Sequence, residues 1–250
     1  MNDNIKKLLD IAQNEIGYVE KASKKDLEDK VKNAGNNNYT KYAEECFPEL
    51  QGMAWCCMFV WWCFEKAFGK IMTHNLIGEK TAKCSVMHDN MLRMECIEVD
   101  SAEPGDIIFF NSGSGINHIG IVYSVGSTIA TIEGNTSRGY NMVVPNGGGV
   151  FTRAYQKNNY RIDSIIRPRW DYLKSEPVSV YNAEINAINV NIRDGAGTQC
   201  NWVGQETKGF KLNIIGEKKD LNGRNWYVFM YKGKIAYICS EFVKRVTNYV

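Results

Sequence analysis

At 250 residues and 44% hydrophobic, the chain is long enough for one large domain or two modest ones with real cores. A formal net charge of +2 gives no basis for a nucleic-acid partner, and no apolar run is long enough to span a bilayer. The start, Met1 to Lys7, lacks the apolar stretch and cleavage site of a secretory signal, so synthesis in the cytoplasm without a signal peptide is expected.

The N-terminal residues Ile5, Leu8, Leu9, Ala12 and Ile16 recur at helical spacing, and Gly17 ends the pattern. After a turn-rich approach (Pro48, Gly52), the run Trp55-Cys56-Cys57-Met58-Phe59-Val60-Trp61-Trp62 begins a helix expected to reach Phe68. A thiol at a helix N-terminus sits at the positive end of the backbone dipole, which favours the nucleophilic thiolate. Cys57 is rotated a step around the helix from Cys56 and reads as structural, as does Cys63. The eight cysteines show no paired Cys-x-x-Cys and no nearby His-x-x-x-His, so neither a zinc site nor any other metal is expected. In a chain without a secretory signal they are expected to stay reduced, with no disulfide framework.

A third helix is expected near 82–94. Glu103-Pro104-Gly105-Asp106 then turns into strands over 106–111, 118–124 and 128–133, with shorter apolar runs near Met142 and Val150. Helices first and an antiparallel sheet afterwards is the α+β pattern. There are only three histidines, His74, His88 and His118, and a catalytic Cys56 would draw its base from them. His74 and His88 lie in polar settings and are expected to be solvated. His118 stands at the mouth of a strand after Gly113-Ser114-Gly115. The next strand carries Glu133 and Asn135, which alternation sets on one face if the strand runs that far. Either would serve to fix the imidazole tautomer and stabilise imidazolium.

Residues 174–182, with Ser175, Glu176, Pro177 and Ser179, read as a linker between residues 1–173 and 183–250. Short strands follow over 187–193, 211–215, 226–231 and 235–238, with a turn at Lys232-Gly233-Lys234, and suggest a small barrel. From Ser175 onward ten Lys and Arg face seven Asp and Glu, a net of +3 that leaves −1 for the rest. Among the aromatics, Trp226 is expected in the core, Trp202 and Tyr231 are candidate ligand contacts, and Trp55 is a candidate wall of the substrate groove.

Residues 1–170 resemble the CHAP peptidases and amidases (cysteine- and histidine-dependent amidohydrolases) of phage endolysins and bacterial wall-remodelling enzymes. The resemblance rests on Trp55-Cys56 with Phe59-Val60-Trp61, Pro104 to Phe110, His118-Ile119-Gly120-Ile121-Val122 and Ile132-Glu133-Gly134-Asn135. Gly147 to Val150 and Arg167-Pro168 complete it. Residues 183–246 resemble the bacterial SH3-like wall-binding module through Ile188 to Arg193, Gly195, Gly197, Trp226-Tyr227-Val228 and Ala236-Tyr237-Ile238. The resemblance implies a papain-like α+β catalytic domain with a central antiparallel sheet, followed by a small all-β SH3-like barrel. It further implies Cys56 as nucleophile, His118 as base, Glu133 as the group orienting His118, and Asn135 as a further polar group. The implied substrate is an amide of bacterial cell-wall peptidoglycan, cut by an amidase or endopeptidase that acts on the wall after release; a monomer without cofactor is expected. Calcium-using members carry an acid-rich loop that residues 33–40 lack, so calcium is not expected. Cys57 stands where the family usually has a small residue, and Gln51 is a candidate second oxyanion donor. Two other readings are a catalytically silent wall-binding protein and a thiol acyltransferase or amidase acting on another amide.

Overall fold

Every residue from Trp55 to Phe64 is buried, which is what a helix apolar on all sides requires of its surroundings. Those residues open α3 (Cys56–Ile77), which is broken at Gly69, where φ is +76°. Three more helices surround it in chain order, α1 (Asp3–Asn14), α2 (Lys41–Cys46) and α4 (Cys84–Arg93). Thr40 caps α2 by accepting the Ala43 N–H at 3.1 Å. The computed structural model describes residues 2–140, 143, 146–173, 181–232 and 234–246. The chain divides into two compact units, Met1–Tyr172 and Leu173–Val250.

The first unit holds a seven-stranded sheet of β1 (Ile97–Glu98), β2 (Ile107–Asn111), β3 (Ile116–Val125), β4 (Thr128–Thr136), β5 (Gly139–Tyr140), β6 (Gly149–Gln156) and β7 (Ile162–Arg167). Its order is β1-β7-β2-β3-β4-β6-β5, antiparallel except for the short β5–β6 pairing. The last strand, β7, slots between β1 and β2, which no local pattern foretold. Asp106, buried at the turn into β2, accepts both Nε and Nη2 of Arg167 from β7, at 2.9 and 3.0 Å. The Pro-Gly-Asp turn and the Arg-Pro pair of the sequence are therefore two halves of one bidentate clamp. Helix α3 packs against α1, α2 and α4 and against β3 and β4. An aromatic cluster of Tyr18, Tyr42, Trp55, Phe59 and Trp62 fills the contact, with centroids 4.9–6.3 Å apart.

The second unit is a sheet of β8 (Tyr181–Ile185), β9 (Val190–Arg193), β10 (Trp202–Glu206), β11 (Lys211–Lys219), β12 (Asn225–Tyr231), β13 (Lys234–Cys239) and β14 (Val243–Arg245). Its order is β10-β9-β13-β12-β11-β8-β14. Alternate residues Ala183 and Ile185, Val190 and Ile192, Leu212 and Ile214, and Ala236 and Ile238 face one core. The expected barrel is a sheet with β10 and β14 at its edges, and no pairing closes it among the described residues. Tyr181 and Asn182, read as linker, already pair with β11. The rest of the linker to residue 180, the apolar run at Met142 and the turn residue Gly233 lie outside the described residues. No helix among the described residues is long and apolar enough to cross a membrane.

Candidate active site

Cys56 is the first helical residue of α3, with Trp55 at the N-cap. Its backbone N–H is one of the helix-start donors that intrahelical bonding leaves free. His118 lies on β3 and Glu133 on β4, the adjacent antiparallel strand. The ring Nε2 meets Glu133 Oε2 at 2.8 Å, and neither residue is exposed. A carboxylate at Nε2 makes that nitrogen the proton carrier and leaves Nδ1 as the basic face. Nδ1 is buried and makes no hydrogen bond of normal geometry. The Cys56 thiol stands beside this ring, and each group shifts the titration of the other.

Thr131 holds the carboxylate that holds His118, and Tyr155 lies near it. The Thr131 hydroxyl, two residues back on the same face of β4, donates to Glu133 Oε1 at 2.5 Å. The Tyr155 phenol lies against the same carboxylate; burial first, then the Glu133 charge, holds it in its neutral form. The period-two spacing of Thr131 and Glu133 is a sequence signal for the first partner, whereas nothing local points to Tyr155. Gly120 makes the approach possible: a Cβ there would lie 2.7 Å from Glu133 Cγ. The Phe110 ring packs 5.8 Å from the imidazole.

Burial works against a charge on His118. Contact with the Cys56 sulfur and with the Glu133 carboxylate outweighs it and pushes His118 up to about 9. The Cys56 thiol departs from the helix-dipole expectation. A hydrogen bond with Cys84, Sγ to Sγ at 3.5 Å, and burial hold it well above the usual thiol range, while His118 pulls it down. In this resting arrangement the sulfur is turned to Cys84, with the imidazole available as its base. Cys57 faces elsewhere, with its Sγ 3.3 Å from the Thr81 carbonyl oxygen.

The structure does not bring every candidate to this centre. Asn135 has φ +54°, which breaks the alternation expected after Glu133. Its Oδ1 accepts from the Gly148 N–H at 3.3 Å and its carbonyl oxygen from Gly147 at 2.8 Å, so it faces the β5–β6 connection. No hydrogen bond joins it to His118 or Cys56, and its Nδ2 is buried without a partner. Trp55 is not a groove wall: it is fully buried, its indole N–H donating to Glu20 Oε2 at 3.0 Å. The Gln51 side-chain amide is engaged by both backbone groups of Thr40, its Oε1 accepting from the N–H and its Nε2 donating to the carbonyl. His74 is buried rather than solvated, and burial pushes it down to about 4. His88 packs edge-on to Phe109, centroids 5.3 Å apart. In the second unit Tyr231 belongs to the core and donates its hydroxyl to Glu206 at 2.8 Å. Trp226 is buried, whereas Trp202 is 62% exposed.

Among solved structures the chain is similar to Ly7917, at 14% identity and a TM-score of 0.40, with 94% of this chain and 92% of that chain covered. A second structure, Ly7917 with the hydrolyzing product of MDP, matches at 14% identity and a TM-score of 0.39, with the same coverage. The antimicrobial peptidase lysostaphin from Staphylococcus simulans matches at 14% identity and a TM-score of 0.21, covering 58% of this chain and 77% of that chain. No curated protein sequence matches. Residues 49–135, the stretch that carries Cys56, His118 and Glu133, match the CHAP domain family.

Proposed function

We propose that this chain is a peptidoglycan hydrolase that cuts a wall amide through a thiol mechanism. The observation that carries the reading is the buried line of Cys56, His118 and Glu133, with its 2.8 Å imidazole–carboxylate bond, inside the stretch that matches the CHAP domain. On substrate binding the Cys56 sulfur leaves Cys84 and gives its proton to His118 Nδ1. The thiolate attacks the amide carbon, and the carbonyl electron pair moves onto oxygen, where the backbone N–H of Cys56 donates to it. Collapse expels the amine, which takes the proton back from His118. Water, activated by the same imidazole, then hydrolyses the thioester. Glu133 keeps Nε2 protonated and stabilises the imidazolium formed in each half.

On this reading the first unit is a papain-like CHAP domain, and residues 183–250 form an SH3-like module that holds the enzyme at the wall. A groove of ≈ 280 Å³ in the second unit, lined among others by Ile188, Asn189, Asn191, Arg193, Arg224 and Phe242, offers such a module a contact surface of mixed polar and apolar character. We further read the protein as an endolysin-like enzyme, made in the cytoplasm and reaching peptidoglycan after release.

Mass spectrometry of purified peptidoglycan digested by wild type, Cys56→Ala and Cys57→Ala tests the mechanism. New fragments from wild type and Cys57→Ala but none from Cys56→Ala are expected, and the fragment masses name the bond as amidase or endopeptidase. Fragments released by Cys56→Ala would overturn the mechanism. Wall binding by wild type without any fragments would leave a silent wall-binding protein as the better account, and conjugates to an added amine would indicate acyl transfer.

A further inference from the structure

Cys84, the first residue of α4, is not used by the reaction just described, yet its sulfur is the hydrogen-bond partner of Cys56 at 3.5 Å. The Cys57 thiol also lies near Cys84, although its own contacts are the Thr81 carbonyl and the Met87 sulfur. All three are unpaired. The two sulfurs need to close by only about 1.5 Å to reach disulfide length. Cys56 and Cys84 retain 4% and 7% exposure, so neither residue is wholly enclosed.

The geometry points to Cys84 as a resolving thiol that forms a reversible disulfide with Cys56 when the protein meets a peroxide, switching the site off. The Cys56 sulfur, its proton passed to His118, attacks one peroxide oxygen. The O–O bond breaks, an S–OH group forms, and the leaving hydroxide takes the imidazolium proton to become water. The Cys84 sulfur then displaces the hydroxyl from Cys56. Its own proton leaves with that hydroxyl as a second water, and an S–S bond remains. Two thiols are oxidised and one peroxide is reduced. A dithiol reductant reverses the process: its first sulfur attacks the disulfide, its second closes its own ring, and both protein thiols return. Without Cys84 the S–OH group has no resolving partner on this geometry, because Cys57 is directed to Thr81 and to Met87, 3.8 Å away. Further peroxide then carries Cys56 to sulfinic acid, which a dithiol does not restore.

The effect on activity rests on Cys56 being the nucleophile, whereas the disulfide is read without it. Full-length wild type is treated with hydrogen peroxide, the remaining thiols are alkylated, and the digested protein is mapped by mass spectrometry. A peptide pair joined through Cys56 and Cys84, lost on dithiothreitol treatment, is the expected result. No cross-link, or one between Cys57 and Cys84, overturns the inference even where the enzyme digests walls. Wall digestion by the same sample should be lost with peroxide and largely restored by dithiothreitol. Cys84→Ser should recover less than about a tenth of its own starting activity and carry sulfinic acid at Cys56. Recovery of Cys84→Ser equal to wild type overturns the resolving role. A cross-link in a wild type that digests no wall leaves this inference standing and defeats the hydrolase reading instead.

Discussion

The chemistry of the site depends on what holds two buried groups. Glu133 is oriented by Thr131 and in turn orients His118, so Glu133→Gln keeps the shape and removes the charge. Wall cleavage should fall by on the order of 10²–10⁴-fold in that variant. The Glu133 carboxylate is one of the groups that raise His118, so the limb of the pH–rate profile that reports His118 should move to lower pH. An unmoved limb would show that Glu133 does not set this titration. His74 gives an independent prediction about stability. Its folded pKa is depressed by burial from 6.5 to about 4, so the folded state prefers the neutral ring. Its contribution is fully present above pH 6.5 and is lost as pH falls through about 4, because the unfolded chain takes up the proton first. The size is about 3 kcal/mol. Urea titrations at several pH values should show His74→Gln losing less stability than wild type across that window. Equal slopes would mean that Glu79, 3.7 Å from the ring, compensates the charge.

At the scale of elements, the site is the seam between α3 and the β3–β4 pair, and glycines set how close the seam is. A Cβ at Gly134 would lie 2.5 Å from Phe59 Cβ, closer than packed atoms allow. Gly134→Ala must push β4 away from α3 and move Glu133 with it. Stability should drop by about 1–3 kcal/mol and wall cleavage should drop as well, measured by denaturation and by release of soluble fragments. Pairing the change with Phe59→Ala should recover little of the loss, because alanine keeps the Cβ that makes the closest contact. The apolar run after Cys56 and the alternating strands around His118 and Glu133 were legible because each pattern is local. Helix α2 is only six residues long, and β1 and β14 are only two and three, too short for any period to register. The strand β7, well patterned with Ile162, Ser164 and Ile166, gives no sign of the neighbours it pairs with.

Across the whole molecule, the first unit buries its chemistry and the second presents an aromatic to solvent. Trp202 is 62% exposed and opens the edge strand β10, while Tyr231, its rival as a contact, supports the core. If residues 183–250 hold the enzyme at the wall, Trp202→Ala in the full chain should weaken co-sedimentation with purified walls by about tenfold. Cleavage of a soluble muropeptide should stay unchanged, because that substrate gains nothing from a second point of attachment. Equal sedimentation of variant and wild type would move the search for a wall contact to the groove around Arg193 and Phe242.

By itself the sequence determined what local order can encode. It placed a thiol before an apolar helix, an imidazole and a carboxylate on neighbouring strand patterns, and a mixed helical and antiparallel architecture with further short strands behind. Helical and strand periods, turn residues and the short list of three histidines suffice for that. Only the tertiary structure decided which groups touch. Asn135 turned away because its backbone is left-handed at φ +54°, a torsion that alternation does not reveal. Trp55 became core because Tyr18, Tyr42 and Glu20, far away in the chain, close over it. Cys84 reached Cys56 across 28 residues because α4 packs on α3. Such contacts are set by long-range packing and strand register, which the spacing of residues along a chain does not specify.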